Sequence, residues 1–418
     1  MSLIKHSALN VAGNFIPALV SLPAYGYLAR ALGVEFFGIY TLAIIVVGYA
    51  GIFDAGLTRA IIREIAIYRE NKVEQRKIIA CGTISVSFFG LIAMFIMLTF
   101  APKIVSLLNI SLEKQAEAIS AISVLALTIP IFLLNQVWLS ILEGSESFLQ
   151  LNIQRSIGSL FIAGVPVLLV FLENGIISAV IGLFIARLIT LMMSAIMVRK
   201  EIYSAGIKFD FLVFKRLITF GGWSALTGII SPVMVYFDRF ILANMLGAKS
   251  VAFYSAPAEL ISKGLIIPSA LARSIFPKLS VADSEHEKNE LKRVGYKLIF
   301  SVCGLGTLLG LFLSKTVMTI WMGDEFSGEP VLVLQILLVG FFFNSLAQIP
   351  FADIQAKGES KTTAFVHLLE IIPYTIILFW LIDCFGVVGA ALAWTCRVSV
   401  DFILLNYLSR SRLRPPRF

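Results

Sequence analysis

Charged and catalytic side chains are scarce in this chain of 418 residues. Asp, Glu, Lys and Arg make up only 14% of it, and there are three histidines and four cysteines. The cysteines are scattered, with no CxxC and no accompanying pair of histidines, so neither a zinc site nor a disulfide framework is expected. No GxxxxGK[ST] string occurs, so the chain supplies no phosphate-binding loop for ATP. We therefore expect no metal and no cofactor.

Apolar residues, in contrast, are abundant. They make up 58% of the chain, and the mean hydropathy is +0.90. Such values are typical of proteins that cross a bilayer with helices of about 20 apolar residues each. The composition excludes a secreted or cytosolic globular enzyme and predicts an all-α integral membrane protein.

Twelve nearly uncharged runs have the length of a membrane span. With the amino terminus placed inside, the inner loops hold 25 Lys and Arg and the outer loops hold six. This asymmetry predicts that both termini are cytoplasmic, and it explains the net charge of +8 and the basic tail at 410–418 without nucleic acid. The runs lie at about 7–29, 37–58, 78–101, 118–142, 156–172, 176–198, 217–237, 250–276, 294–321, 330–354, 362–383 and 386–408.

An internal repeat relates the two halves of the chain. LARALGVEFFGIY from Leu28 aligns with LANMLGAKSVAFY from Leu242, an offset of 214 residues. GIISA from Gly175 aligns with GVVGA from Gly386, an offset of 211 residues. Since six spans return the chain to its starting side, the two copies share one orientation, related by a pseudo-two-fold axis along the membrane normal.

The repeat predicts the architecture of an alternating-access transporter, with a central cavity between two six-helix halves. We expect the halves at residues 1–200 and 217–409, joined by a cytoplasmic linker at 201–216. Pro17 and Pro232 lie 215 residues apart in the first span of each half, and they are candidate hinges because proline can bend a helix. The alternative is that proline is simply common in membrane helices.

Four strings resemble those of a known family. They are LARALGVEFFGIY from Leu28, DAGLTRAIIREIA from Asp54, IFPKLS from Ile275 and IWMGDEF from Ile320. In this order they resemble the bacterial polysaccharide flippases, the O-antigen translocases of the multidrug/oligosaccharidyl-lipid/polysaccharide exporter superfamily. The twelve predicted spans extend the resemblance over the whole chain.

The resemblance implies a transporter without enzymatic activity in the bacterial inner membrane. Its substrate would be a polyprenyl-pyrophosphate-linked oligosaccharide, an O-antigen or other surface polysaccharide repeat unit, moved from the inner to the outer leaflet. The sequence does not indicate which sugars the unit contains. Besides this glycolipid, the expected partners are the membrane lipids, with the polysaccharide polymerase machinery as a further candidate.

Charges within the spans are the main candidates for the substrate site, because an unpaired charge at membrane depth is costly. Arg187, Lys263 and Arg397 lie near span centres. Glu259 and Asp401 lie four residues from Lys263 and Arg397, which allows intrahelical pairs, whereas Arg187 has no acid in its own span. Since guanidinium groups match phosphate oxygens, we predict that Arg187 contacts the pyrophosphate, followed by Arg397 and Lys263. The alternative for Arg397 and Lys263 is an ion pair that neutralises itself and holds two helices together, and for Arg187 it is a structural partner on another helix.

Charges near the span ends form a second set. Arg30 lies at the outer end of the first span, and Asp238 and Arg239 lie at the outer end of the seventh, so the three are predicted to line the outer mouth. The alternative is that the arginines snorkel to lipid headgroups.

Acidic residues are candidates for gating or ion coupling. Asp54 and Arg59 could form an inner gate, with a static network at a helix end as the alternative. Glu370, beside Pro373 in the eleventh span, could take up a proton or another cation, as could Glu259 and Asp401. A buried acid satisfied by a neighbouring helix is the alternative for Glu370.

Two other functions stay open at this stage. An ion-coupled exporter of small molecules or drugs from the same superfamily would have the same architecture. A membrane enzyme acting on the lipid carrier would need acids or histidines grouped on one face. The three histidines all lie at predicted inner loops or inner helix ends, which disfavours the enzyme.

Overall fold

The computed structural model describes the backbone of residues 3–49, 53–54, 56–282 and 284–410. Within these ranges, it leaves the side chains of 3–19, 49, 223–236, 277, 360–361 and 364 undescribed. The described residues form helices joined by short turns, and none of them lies in a strand. The all-α prediction is therefore confirmed.

The first of two compact units comprises Met1–Lys249. Helices α3 and α4 pack together in it, as do α5 and α6, and α1 lies against α5. The helices of this unit are α1 (Leu3–Tyr49), α2 (Leu57–Ile67), α3 (Lys72–Leu107), α4 (Gln115–Gly144), α5 (Phe148–Leu172), α6 (Ile176–Met197), α7 (Arg199–Ala205) and α8 (Phe211–Leu246).

The second compact unit comprises Ser250–Phe418. Its central helix is α13, which packs against α10, α12 and α14. Helix α14 is long and is divided at Gly386 into two helical arms. The helices are α9 (Ala248–Gly264), which begins two residues before the unit, α10 (Ile266–Val281), α11 (Glu285–Ile299), α12 (Leu305–Met322), α13 (Glu329–Ala356) and α14 (Ser360–Arg410). A single π-helical turn, Phe300–Gly304, joins α11 to α12.

Eight helical segments among the described residues are long and apolar enough to span a membrane. Helix α8, with many undescribed side chains, is not among them, and neither are α9 and α10, which have 17 and 16 residues. The exact count of twelve therefore stays a prediction. The eight segments are Val20–Gly48, Lys72–Leu107, Leu112–Gly144, Phe148–Leu172, Ile176–Met197, Glu285–Met322, Glu329–Ala356 and Phe365–Arg410.

The repeat seen in the sequence returns as a repeat of backbone conformation. Gly33 and Gly247, 214 residues apart, have φ of 73° and 83° with ψ of 164° and 174°. Each glycine joins two helical stretches by a turn of one residue. Helices α4 and α13 begin at residues 115 and 329, again 214 apart. The internal duplication therefore describes the fold as well as the sequence.

The predicted span boundaries were wrong at several joints. The predicted loop at 30–36 is a single-residue turn at Gly33, and the predicted loop at 384–385 is replaced by a turn at Gly386. The second span ends at Tyr49 rather than at 58, ahead of a glycine-rich stretch that includes Gly56 at φ 73°. The eighth predicted span is divided at Leu265 into α9 and α10. Glycine supplies the tight turns because positive φ costs it little.

Helix α8 is held to the rest of the first unit at both ends. At one end, Arg216 contacts acids of α2 and α3. At the other end, the amide of Asn244 donates to the carbonyl of Leu107 at 3.0 Å, and the amide of Asn109 donates to the carbonyl of Asn244. The first helix of the second sequence repeat thus lies in the first compact unit.

Replacing Gly33 with Ala should lower the free energy of unfolding by about 1–3 kcal/mol, because only glycine adopts its φ and ψ without strain. Gly306 of α12 is the matched control, since a Cβ added there meets no atom within 4 Å and its φ is not positive. Thermal unfolding in detergent should separate the two variants by several degrees. Equal melting temperatures would show that the backbone at Gly33 relaxes.

Candidate functional site

Arg187, on α6, is a cation with no acid beside it among the described residues. Its guanidinium lies 4.7 Å from the centre of the Phe132 ring on α4, and no ion pair joins it to any described residue. Its Nε is buried without a hydrogen-bond partner. The stacking on Phe132 fixes the direction of the side chain, while the charge stays available to a ligand. Phe132 lies on another helix, so this contact also fits the alternative of an interhelical structural partner, and the substrate role of Arg187 stays a prediction.

A second group of charged residues lies between the two arms of α14, where these pack against each other. The chain turns at Gly386, so the arm before it runs alongside the arm after it. Across the arms, the Nε of Arg397 lies 3.5 Å from Oε2 of Glu370. The Nδ1 of His367 lies 3.7 Å from Oε2 of Glu370 and 3.7 Å from Oδ1 of Asp401. We call His367, Glu370, Arg397 and Asp401 the α14 cluster.

Within the α14 cluster, Glu370 is buried and the other three residues are partly buried, and several of their polar atoms have no hydrogen-bond partner among the described residues. Both carboxylate oxygens of Glu370, the Nε of Arg397 and Oδ1 of Asp401 are buried without a hydrogen bond. Tyr374 lies beside them, its ring centre 5.3 Å from the Arg397 guanidinium. Buried polar atoms normally have partners, so these atoms have hydrogen-bonding capacity that the described residues leave unused.

The intrahelical pair predicted between Arg397 and Asp401 is not formed. Arg397 faces Glu370 of the other arm instead, and Asp401 faces His367. The antiparallel arms bring these groups closer than the spacing along one helix does. For Glu370, the alternative was an acid satisfied by a neighbouring helix. The other arm of α14 gives it an ion-pair contact, but no described residue donates a hydrogen bond to either carboxylate oxygen.

Three residues of the α14 cluster could hold a cation. One ligand atom each from His367, Glu370 and Asp401 lies within 4.8 Å of the others. The group therefore offers one ring nitrogen and two carboxylates to a proton or to a cation.

The pair predicted on α9 is confirmed. The Nζ of Lys263 lies 2.9 Å from Oε1 of Glu259, four residues away on the same helix. The charges neutralise each other, which weakens the case for Lys263 as a substrate contact and for Glu259 as a coupling site.

The residues predicted to line the outer mouth differ in burial. Asp238 and Arg239 are buried and paired, with NH1 of Arg239 at 3.0 Å from Oδ1 of Asp238. Snorkelling to lipid headgroups therefore does not describe Arg239. Arg30 is exposed on α1, one turn before Gly33. Its role at an outer mouth stays a prediction.

Asp54 and Arg59 lie beside the start of α2. Both carboxylate oxygens of Asp54 accept a hydrogen bond from the backbone amide of Thr58 at 3.1 Å, which satisfies one amide of the first turn of the helix. Burial raises the pKa of the Asp54 carboxyl. Arg59 is exposed. The capping contact supports the static helix-end interpretation, and the inner gate stays a prediction.

A larger network on the predicted inner side was missed by sequence reasoning. The Nε of Arg216 on α8 lies 2.7 Å from Oε2 of Glu64, and its NH2 lies 3.3 Å from Oε2 of Glu74. Its NH1 donates to the hydroxyl of Tyr68 at 3.2 Å. Arg63 contacts the other oxygen of Glu64 at 2.8 Å. The sequence alone identifies Arg216 only as one of the basic residues that orient the chain.

Replacing Arg216 with Ala should destabilise the protein by up to about 3 kcal/mol, because it leaves the buried Glu64 with Arg63 alone. The double variant Arg216→Ala with Glu64→Gln removes the stranded charge and should recover most of that loss. Chemical unfolding of the wild type, both single variants and the double variant gives the coupling energy. Strictly additive effects would mean that the contact contributes nothing.

The two candidate hinges cannot be placed as side chains. The backbones of α1 and α8 continue through Pro17 and Pro232, but both side chains lie outside the described residues. The basic tail beyond Arg410 also lies outside them. The hinge role of the two prolines stays a prediction.

Comparison with known proteins gives consistent matches. Residues 3–283 match the family model described as polysaccharide biosynthesis protein. A Shigella flexneri protein named as a candidate O-antigen transporter is 47% identical over 409 residues, which cover 98% of each chain.

Two solved structures share the fold. An inward-facing multidrug resistance MATE family transporter of the MOP superfamily has a TM-score of 0.78 at 16% identity, covering 96% of this chain and 97% of its own. The lipid II flippase MurJ in its inward closed conformation has a TM-score of 0.78 at 15% identity, covering 98% of this chain and 88% of its own. At these identities the likeness shows the fold alone.

Proposed function

Because the chain belongs to the polysaccharide biosynthesis protein family, we propose that it is a flippase for a polyprenyl-pyrophosphate-linked oligosaccharide. The glycolipid moves from the inner to the outer leaflet of a bacterial inner membrane, and both termini lie on the cytoplasmic side. Its two repeats open alternately to either side of the membrane. The substrate leaves chemically unchanged, so the protein acts as a transporter and not as an enzyme.

The observation that carries this proposal is the position of Arg187, which has no acid beside it among the described residues. An arginine at membrane depth without an acid is costly unless a ligand or water compensates its charge. A pyrophosphate supplies concentrated negative charge and oxygens that fit the forked donors of a guanidinium. The ring of Phe132 holds the guanidinium in place. Arg187 is therefore the primary headgroup contact.

Arg397 serves as a second contact that is masked in the present arrangement. It lies one position off the repeat equivalent of Arg187, since 210 residues separate the two arginines and 211 separate the glycines that start their helical stretches. Glu370 faces it at 3.5 Å. A phosphate oxygen reaching Arg397 would compete with this carboxylate. Substrate binding and the charge state of the α14 cluster are thereby linked.

The α14 cluster is the site where we propose that an ion gradient is used. With His367 neutral, Arg397 supplies one positive charge against the negative charges of Glu370 and Asp401. One proton or one monovalent cation brings the cluster to neutrality. Neutralisation lowers the free-energy cost of excluding water from the cluster while the transporter changes from one open state to the other.

Transfer in proteoliposomes tests the proposed function. Vesicles containing the purified protein and a polyprenyl-pyrophosphate oligosaccharide are exposed to an impermeant lectin or glycosidase. We expect the glycan placed in the inaccessible leaflet to become accessible only when the protein is present. Vesicles carrying the same glycan on a lipid without pyrophosphate are the control, and their transfer should be slower.

The negative outcome is equally informative. If no glycan is transferred with several oligosaccharides, with or without an ion gradient, the flippase proposal fails. Ion-coupled export of a small molecule would then account better for the α14 cluster. Cation-dependent uptake of a fluorescent drug into the same vesicles would distinguish that function.

A further inference from the structure

One cavity plays no part in the proposed transport function. It has a volume of about 510 Å³ and lies where α4 ends, α5 begins and α6 passes into α7. Ile141 and Leu142 supply apolar lining, whereas Ser145, Ser147 and Gln150 supply hydroxyl and amide groups. Ser147 precedes α5 without using its hydroxyl to cap the helix. The cavity is therefore lined by both polar and apolar groups.

Two cations line this cavity without ion pairs. Arg199 and Lys200 are exposed, and no described residue forms an ion pair with either of them. Glu201 also lines the cavity, so the three side chains together carry a net charge of +1. The charge of the cavity favours an anion.

Neighbouring cations behave differently. Arg155 is paired with Glu143 at 3.0 Å, and Arg69 is paired with Glu146 at 3.0 Å. These two arginines are neutralised by acids at the same joint between α4 and α5. Arg199 and Lys200 thus differ from the basic residues around them, since orientation of the chain requires positive charge but does not require a cavity.

An apolar stripe leads from the cavity along α6. Met192 and Ile196 lie one turn apart and are 60% and 67% exposed, and Ile196 also lines the cavity. In a membrane-spanning helix such a face contacts acyl chains. A soluble anion would occupy the polar part of the cavity and leave the stripe unused. A lipid would use both.

We propose that this cavity binds the headgroup of an anionic phospholipid. The phosphate lies between Arg199 and Lys200, and an acyl chain runs along Met192 and Ile196. The hydroxyl of Ser147 and the amide of Gln150 donate to the remaining headgroup oxygens. The proposal concerns a structural lipid, and it does not depend on the flippase function.

Lipid binding to the purified full-length protein tests the site. Native mass spectrometry after exchange into detergent with phosphatidylglycerol or phosphatidylethanolamine measures the lipid that is retained. We expect wild-type protein to retain phosphatidylglycerol preferentially. The double variant R199Q/K200Q should bind it at least tenfold more weakly, because two charge-assisted contacts are lost. R76Q/R293Q is the matched control, since it removes two exposed basic residues without ion pairs elsewhere on the predicted inner face, and it should bind as the wild type does.

Three outcomes would overturn the proposal. An equal loss in R76Q/R293Q would show a general surface-charge effect. Displacement of phosphatidylglycerol by an equal concentration of soluble glycerol phosphate would show an anion site that does not recognise lipid. Displacement by polyprenyl pyrophosphate at much lower concentration would assign the cavity to the transported substrate. The first two results concern only the retention of lipid, so they leave the proposed flippase function untouched.

Discussion

Replacement of Arg187 with Ala is expected to slow glycan transfer by about 10- to 150-fold. A hydrogen bond to a charged group contributes about 1.5–3 kcal/mol, and each 1.4 kcal/mol is a tenfold change. No described acid pairs with Arg187, so its loss leaves no stranded carboxylate and should cost little stability. The initial rate of lectin access in proteoliposomes measures the effect. Protein content and melting temperature should remain close to those of the wild type.

Two further variants separate the charge of Arg187 from its shape. Arg187→Lys keeps the charge but loses the forked donors, so an intermediate rate is expected. Arg155→Ala is the matched control, because this arginine is more than half exposed and already paired with Glu143. Its surface pair is worth about 0–1 kcal/mol, and transfer should change less than twofold. An unchanged rate in Arg187→Ala would remove this residue from the substrate site.

The two-repeat architecture could be predicted because the repeated positions include glycines that the backbone turns require. Gly33 and Gly247 align in sequence, and both adopt the same left-handed φ with an extended ψ. The loops between spans could not be predicted as well. A one-residue turn such as Gly386 contains no polar segment, so hydropathy alone does not show where one span ends and the next begins.

The surroundings of a charged residue could be predicted only where they depend on its own helix, as for the pair of Lys263 and Glu259. Arg187 stood out because its own span holds no acid, and the structure adds the Phe132 ring beneath it. The α14 cluster depends on how two arms align across Gly386, which sets Asp401 against His367. Spacing along one helix gave the wrong partner for Arg397. Arg216 was missed for the same reason, since its acidic partners lie more than 140 residues away in the chain.

Replacing Glu370 with Gln is expected to abolish the response of transfer to an ion gradient. The wild-type cluster has one negative charge in excess when His367 is neutral, and under the proposed coupling it takes up one cation to become neutral. The glutamine variant has Arg397 against Asp401 alone, so no further cation is needed. One charge moved across 100 mV is worth about 2.3 kcal/mol, or about a 50-fold change in distribution. In the variant, an imposed ion gradient should no longer change the distribution of the glycolipid by this amount. The variant should still transfer the glycolipid down the concentration gradient of the glycolipid itself.

Asp401→Asn changes the charge count in the same way and should give the same phenotype. Glu259→Gln is the matched control, because Glu259 forms a neutral pair with Lys263 on α9 and should not contribute to coupling. Imposed proton and sodium gradients of equal size, applied separately to the same vesicles, identify the coupled ion. If an ion gradient still drives the glycolipid to accumulate fully in one leaflet with the Glu370→Gln variant, the α14 cluster is excluded as the coupling site. Loss of downhill exchange together with coupling would instead mean that Glu370 holds Arg397 in position for the substrate, since removal of the acid would then disturb binding itself.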